Sequence, residues 1–289
     1  MKDFTQMNFQ TSKEFFQILF RLSQKQPWLS EKEEELLHLL FEDCQNESQK
    51  GLLIKLLNDF EYVSHEKYKE LIRDLVKVIS SEMGLNAEET QIVALASDEK
   101  ADSSQYLLYD LKIAFDAIQW KPTFVNRFGA AYKTCTRNPS LQNIILVDEF
   151  IGSGMSAEGR INEIKRQFLT NGISDVHIHA KFLIGCETGI NRITPLTDST
   201  SALITLRKGI SDRFTPDEAA QYLNEMQLLE TLLASKWGDD VLPSLGYGGV
   251  QALYFRKDGN TPNNVFPIFW WPLYKSGNLR RTLLRRAKD

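Results

Sequence analysis

The chain carries only three cysteines in 289 residues, Cys44, Cys135 and Cys186, widely spaced and odd in number. With no CxxC pair, neither a disulfide framework nor a structural zinc site is expected, and reduced thiols are the default. Long apolar runs are missing too. Ile144–Val147 and Phe182–Ile184 fall far short of the roughly 20 apolar residues a helix needs to span a bilayer. The opening MKDFTQMNFQTSKEFF mixes acids and amides and lacks the apolar core of a secretion signal, so a cytoplasmic location is expected. A basic excess is absent: 34 Lys and Arg stand against 38 Asp and Glu, a net charge of -4, which excludes a protein that coats nucleic acid by its overall charge. No Gly-Lys-Ser/Thr phosphate loop, no GxGxxG fingerprint and no GxSxG elbow occurs. What remains is ordinary: 42% hydrophobic and 25% charged residues describe a folded globular chain.

Up to about Leu85 the pattern is helical. Ser30-Glu31-Lys32-Glu33 has the form of a capping box, followed by Leu36, Leu37, Leu39, Leu40 and Phe41 at helical spacing. Ser64 precedes Tyr68, Leu71, Ile72, Leu75, Val76 and Ile79, predicting a helix over 65–83 with Gly84 at its end. From Gln91 the pattern alternates. Strands are predicted at Ile92–Ala96, Asn143–Glu149, Asp175–Ile184 and from Ser201, with an extended piece after Pro122. Helices are predicted after Ser104, over Ala157–Leu169 and from Pro216 to about Lys236. This alternation predicts an α/β fold, a mostly parallel sheet flanked by helices, behind a helical N-terminal region. The expected division is 1–85 helical, 86–275 α/β domain and 276–289 a basic tail.

The chemistry sits in Asn143-Ile144-Ile145-Leu146-Val147-Asp148-Glu149-Phe150-Ile151-Gly152-Ser153-Gly154-Met155-Ser156. An apolar strand ends in two acids, and a small-residue loop leads directly into a helix. Backbone amides at a helix N-terminus favour an anion. Gly152 and Gly154 permit close approach, and Ser153 and Ser156 add hydroxyl donors. A phosphate is the natural occupant, with the two carboxylates placed to accept from sugar hydroxyls at the strand's carboxyl end.

This segment resembles the phosphoribosyl-pyrophosphate (PRPP) motif of type I phosphoribosyltransferases. The resemblance implies that Asp148 and Glu149 hold the ribose 2′ and 3′ hydroxyls, and that Gly152, Ser153, Gly154, Met155 and Ser156 hold the 5′-phosphate. It implies a second unit, Ile92–Ala96 and the loop 97–104, for the diphosphate and magnesium, with Lys100, Ser103 and Ser104 as its candidates. Arg127 and Arg137 flank the place where such enzymes carry a mobile loop. Further on, Leu245–Leu253, Asn260–Asn264 and Pro267–Trp271, with Phe60–Val63 and Ala96–Ser104, look like the phosphoribosyltransferase-like proteins of bacterial conflict systems, the PRTase-CE family. That implies an effector in an anti-phage system, retrons among them, which binds PRPP or a nucleotide and acts at ribose C1′. Implied partners are a retron reverse transcriptase and its RNA–DNA.

Two departures matter. Gly152 stands where many base-salvage members carry an Asp, so ordinary purine salvage is not expected. Glu149 is one methylene longer than the usual Asp. A non-catalytic ribose-phosphate sensor or partner-binding module therefore stands beside the enzyme as an alternative. His177 and His179 share a strand face without a completing carboxylate or thiol, which favours a polar packing role over metal binding. Trp270, Trp271, Phe269 and Tyr274 either pack as core, the favoured reading, or offer a stacking surface for a base. Lys275, Arg280, Arg281, Arg285, Arg286 and Lys288 form a basic patch, either a solvated end or a contact for nucleic acid.

Overall fold

The computed structural model describes residues 9–96 and 103–287. Contacts within the chain separate two compact units. One joins 1–62 to 208–288, and the other is the continuous stretch 63–207 with residue 289.

The first unit begins with α1 (Phe9–Lys25), α2 (Glu33–His38) and α3 (Glu47–Asn58), followed by β1 (Glu61–Val63). The expected capping box at Ser30 does not form. Pro27 starts a short 3-10 turn through Glu31, the Ser30 hydroxyl donates to the Pro27 carbonyl, and α2 starts only after Lys32. A proline with its fixed φ sets up that turn first.

The second unit opens with α4 (His65–Ser81), capped as expected: the Ser64 hydroxyl accepts from the Lys67 amide. Then come β2 (Thr90–Ala94), α5 (Ser103–Ala117), β3 (Thr123–Val125), α6 (Ala131–Arg137), β4 (Asn143–Ile151), α7 (Met155–Thr170), β5 (His177–Cys186), α8 (Glu187–Ile193) and β6 (Ser199–Leu206). The five strands form one sheet in the order β3-β2-β4-β5-β6, every neighbour parallel. This is the α/β sheet that the alternating pattern predicts. Val93, Ile144, Leu146, Ile178, Ala180 and Phe182 turn one face onto Ala131 and Cys135 of α6 and Ala157, Ile161, Ile164 and Phe168 of α7. Helices α4 and α5 pack on the other face.

On that face β5 carries a polar network. Lys181, 3% exposed, pairs with Glu82 at 2.6 Å. The Ser199 hydroxyl donates to Glu82 at 2.8 Å, and His179 Nδ1 shares a hydrogen bond with the same hydroxyl. His177 lies 3.6 Å from Asp198. His179 thus belongs to this network, whereas His177 is exposed; among the described residues no group of three or more His, Cys, Asp or Glu side chains is placed to hold a metal ion.

The chain then returns to the first unit through α9 (Pro216–Glu230), opened by the Thr215/Glu218 capping box, the short strands β7 (Lys236–Trp237) and β8 (Asp240–Val241), and β9 (Tyr254–Arg256). The aromatic run near the C-terminus is core, as expected: Trp271, Phe269 and Phe266 are fully buried.

The unit boundaries fall elsewhere than the expected 85 and 275. Helix α4 counts with the sheet, and residues 208–288 join the N-terminal helices. The basic patch explains why. Arg280 is buried, donating to Asp43 at 2.6 and 2.9 Å and to the Ile268 carbonyl at 2.7 Å. Arg281 pairs with Glu34. Arg286 donates to the Thr261 carbonyl and lies over the Trp270 ring. Three of its cations are thus occupied within the fold.

Burial pushes Asp43 up, but hydrogen bonds with His38, Arg280 and Tyr274 and the Arg280 charge outweigh it and hold the carboxyl below its ordinary value of 3.8. A depressed carboxylate adds stability above its unfolded pKa and loses it as pH falls through the folded one. Arg280→Met is therefore expected to cost about 3 kcal/mol at neutral pH, because a buried carboxylate loses its partner. Asp43→Asn is expected to lose less stability than wild type on acidification below about pH 4. Denaturant titrations across pH check both outcomes.

Candidate functional site

The candidate site lies where the sheet reverses its direction of growth. The chain runs from β2 outward to β3, then crosses back to place β4 on the other side of β2. Ligands of open parallel sheets bind at such a switch point, beyond the strands' carboxyl ends. The ladder between β2 and β4 runs from Thr90↔Asn143 to Ala94↔Val147. The Leu95 amide donates to the Val147 carbonyl, and there the shared ladder ends. Strand β4 continues to Ile151, paired with β5 through Asp148↔Phe182, Phe150↔Ile184 and Ile151↔Gly185. The acids thus stand on β4 beyond the last residue pair of its register with β2.

Successive strand residues alternate in direction. Glu149 is 6% exposed, whereas Asp148 is half-buried. Asp148 Oδ1 accepts from the Glu149 amide at 2.7 Å, and the Ser103 hydroxyl donates to the same oxygen at 3.4 Å. That contact brings the first turn of α5 to the acids. Ser104, one residue on, is fully buried and lines the helix start. Lys100 lies outside the described residues, as does the rest of 97–102.

The loop after β4 turns sharply into α7. Gly154 caps the helix at φ 75° in the left-handed region, which L side chains rarely adopt. A Cβ there would come within 2.8 Å of the Gly189 carbonyl oxygen on α8. Ser153 is 7% exposed, and its hydroxyl accepts weakly from the Met155 amide at 3.5 Å. Met155 and Ser156 face solvent in the first turn. Among the described residues no acceptor takes the amides of Ser153, Gly154, Ser156 or Ala157. Four donors at one helix start, with the positive end of the helix dipole behind them, make an anion cradle.

The structure therefore brings Asp148, Glu149, Gly152, Ser153, Gly154, Met155, Ser156, Ser103 and Ser104 to one end of the sheet. Arg127 and Arg137 are exposed, at the start of a 3-10 turn and the end of α6. Three neighbours carry no local signal in the sequence. Arg160 on α7 donates to the Leu95 carbonyl beyond the end of β2 and lies 6.0 Å from the Phe128 ring centroid. Arg192 on α8 donates to the Ser153 carbonyl at 2.9 Å and to Glu158 at 3.0 Å. Gly189 backs the loop: a Cβ on it would overlap the Gly152 carbonyl.

Comparison with known proteins gives one family. A family model described as PRTase-CE matches residues 26–286. Among solved structures, the chain is similar to orotate phosphoribosyltransferase from Aeropyrum pernix at 15% identity and a TM-score of 0.31, over 51% of this chain and 75% of that one. No curated protein sequence matches.

Gly154→Ala is expected to cost about 1–2 kcal/mol from the left-handed backbone alone. Gly159→Ala, inside α7 with open space around its Cα, is expected to gain about 0.5–1 kcal/mol. Thermal unfolding of the two variants, side by side, checks the contrast.

Proposed function

Because the chain belongs to the PRTase-CE family, we propose that its acid pair and glycine loop form a phosphoribosyl site: Asp148 and Glu149 for the ribose hydroxyls, the 152–156 loop for the 5′-phosphate. The observation that carries this reading is the run of β4 past its register with β2 at the switch point, with a four-amide cradle one turn away. A site with two grips, one acidic and one anion-binding, fits a molecule with vicinal hydroxyls at one end and a phosphate at the other.

The reaction proposed is at C1′. With PRPP, the bond from C1′ to the pyrophosphate oxygen breaks, pyrophosphate leaves with the electron pair, and an acceptor's lone pair forms the new bond. With a nucleotide, the bond from C1′ to the base nitrogen breaks and water supplies the new oxygen. Both pass through an oxocarbenium-like centre. Fixing the ribose by its hydroxyls and phosphate supplies alignment, the contribution that needs no acid or base from the protein. Gly152 has no titratable side chain, and in this scheme none is required of it.

Magnesium fits here only as a shared ligand. The described acids do not form a cage of three or more, so the diphosphate would supply most of the coordination, with the half-buried Asp148 as a carboxylate that could share the ion. Bound in that way, the ion would neutralise the leaving group's charge. Lys100, Ser103 and Ser104 belong to the proposal as the diphosphate side of the site.

The cellular role proposed with it is that of an effector in a bacterial anti-phage system, a retron being one setting. Its support is the resemblance to proteins of bacterial conflict systems and the family match. A second reading, a ribose-phosphate sensor without turnover, draws on the same grips and on Gly152.

Calorimetry with PRPP and magnesium, followed by assay of pyrophosphate release or base release from nucleotides, tests both. Wild type is expected to bind PRPP. Asp148→Asn and Glu149→Gln are each expected to weaken binding about 10-fold, for a charge-assisted hydrogen bond lost. Turnover abolished by the same substitutions supports the enzyme, and binding without turnover supports the sensor. Absence of binding to PRPP and to nucleotides overturns the phosphoribosyl site.

A further inference from the structure

We infer that Arg192, with Gly189 one turn before it, is the positioning residue that aims the loop amides at the phosphate; this rests on the phosphoribosyl reading above. A trans peptide points its carbonyl and the next amide in opposite directions. The Ser153 carbonyl accepts from Arg192 Nε at 2.9 Å, so the Gly154 amide turns away from Arg192. The Gly152 carbonyl lies against the Gly189 Cα, where a Cβ has no room, so the Ser153 amide turns away from α8 as well. Two consecutive donors thus face the side opposite α8, and among the described residues neither has a protein acceptor.

The arrangement needs a lock. A glycine follows the Ser153 carbonyl, and glycine tolerates either sign of φ, so the peptide between Ser153 and Gly154 can turn over at little backbone cost. Turned over, it would present a carbonyl oxygen to the phosphate in place of an amide. Arg192 blocks that by holding the carbonyl. Its other arm reaches Glu158 in the first turn of α7 at 3.0 Å, which fixes the guanidinium at both ends and offsets its charge. Arg192 therefore acts through the loop and not as a phosphate ligand.

The test is calorimetry on the full chain with PRPP and magnesium, giving Kd and stoichiometry, with inorganic phosphate as a competitor. Arg192→Ala is expected to weaken both PRPP and inorganic phosphate about 10-fold or more at unchanged stoichiometry. Asp148→Asn is expected to weaken PRPP while leaving inorganic phosphate unchanged, since phosphate meets only the loop. Arg192→Lys, able to reach one of the two acceptors but not both, is expected to weaken binding about 3-fold. It decides the matter if the alanine variant does not fold. Unchanged Kd values in an Arg192 variant overturn this inference alone. So does a fall in stoichiometry at unchanged Kd, the mark of a merely structural residue. Failure of wild type to bind PRPP or phosphate overturns the phosphoribosyl reading, and this inference with it.

Discussion

The register between β2 and β4 governs everything at this end of the molecule. Five parallel pairs tie the two strands together and then stop, because β2 leaves the ladder after Leu95 while β4 runs on to Ile151. An antiparallel or shifted pairing would have covered the Asp148–Ile151 backbone or turned its side chains to the opposite faces. As built, the last stretch of β4 is braced by β5 and runs on past its register with β2. The polar end of an otherwise apolar strand is thereby placed beyond the register with β2, with Asp148 half-buried and Glu149 buried.

The loop beyond it is held from behind. Helix α8 supplies a residue with no side chain at the point of closest approach and a long cation three residues on. The first lets backbone meet backbone, and the second satisfies a carbonyl that would otherwise compete with the loop's donors. With strand, helix and a carbonyl tied off between them, the loop in the proposed site would need little reorganisation to receive an anion. On the proposed phosphoribosyl reading, such preorganisation would serve chemistry at a sugar carbon, where the departing group carries its own charge and the protein mainly supplies alignment.

The parts legible in the sequence are those in which cause and effect lie close together along the chain. The apolar run Ile144–Val147, the two acids and the small residues after them sit within fourteen positions, so strand, turn and helix start could be read in order. The Ser64 cap was legible for the same reason. Ser30 shows the limit: its box pattern is sound, but Pro27 just before it commits the backbone to a tighter turn. Arg192 was invisible because it reaches back 39 residues to its carbonyl. Arg280 reaches back 237 residues to Asp43, and a cluster of basic residues near a chain end looked like a surface patch because its counter-charge lies almost a whole chain away. Periodicity reports which side of an element is apolar. It does not report which distant acid awaits a buried cation.

The division of the chain carries a further meaning for biogenesis. The sheet unit is one uninterrupted stretch, 63–207, whereas the other unit draws its interior from both ends. During synthesis Asp43 emerges long before Arg280, and the leucines of α3 emerge long before Trp271 and Leu284. The parallel sheet can close as soon as its own residues have left the ribosome, while α3 must wait for α9 to pack on it and Asp43 for Arg280. A truncation that spares every residue of the candidate site can still strand α3 or Asp43.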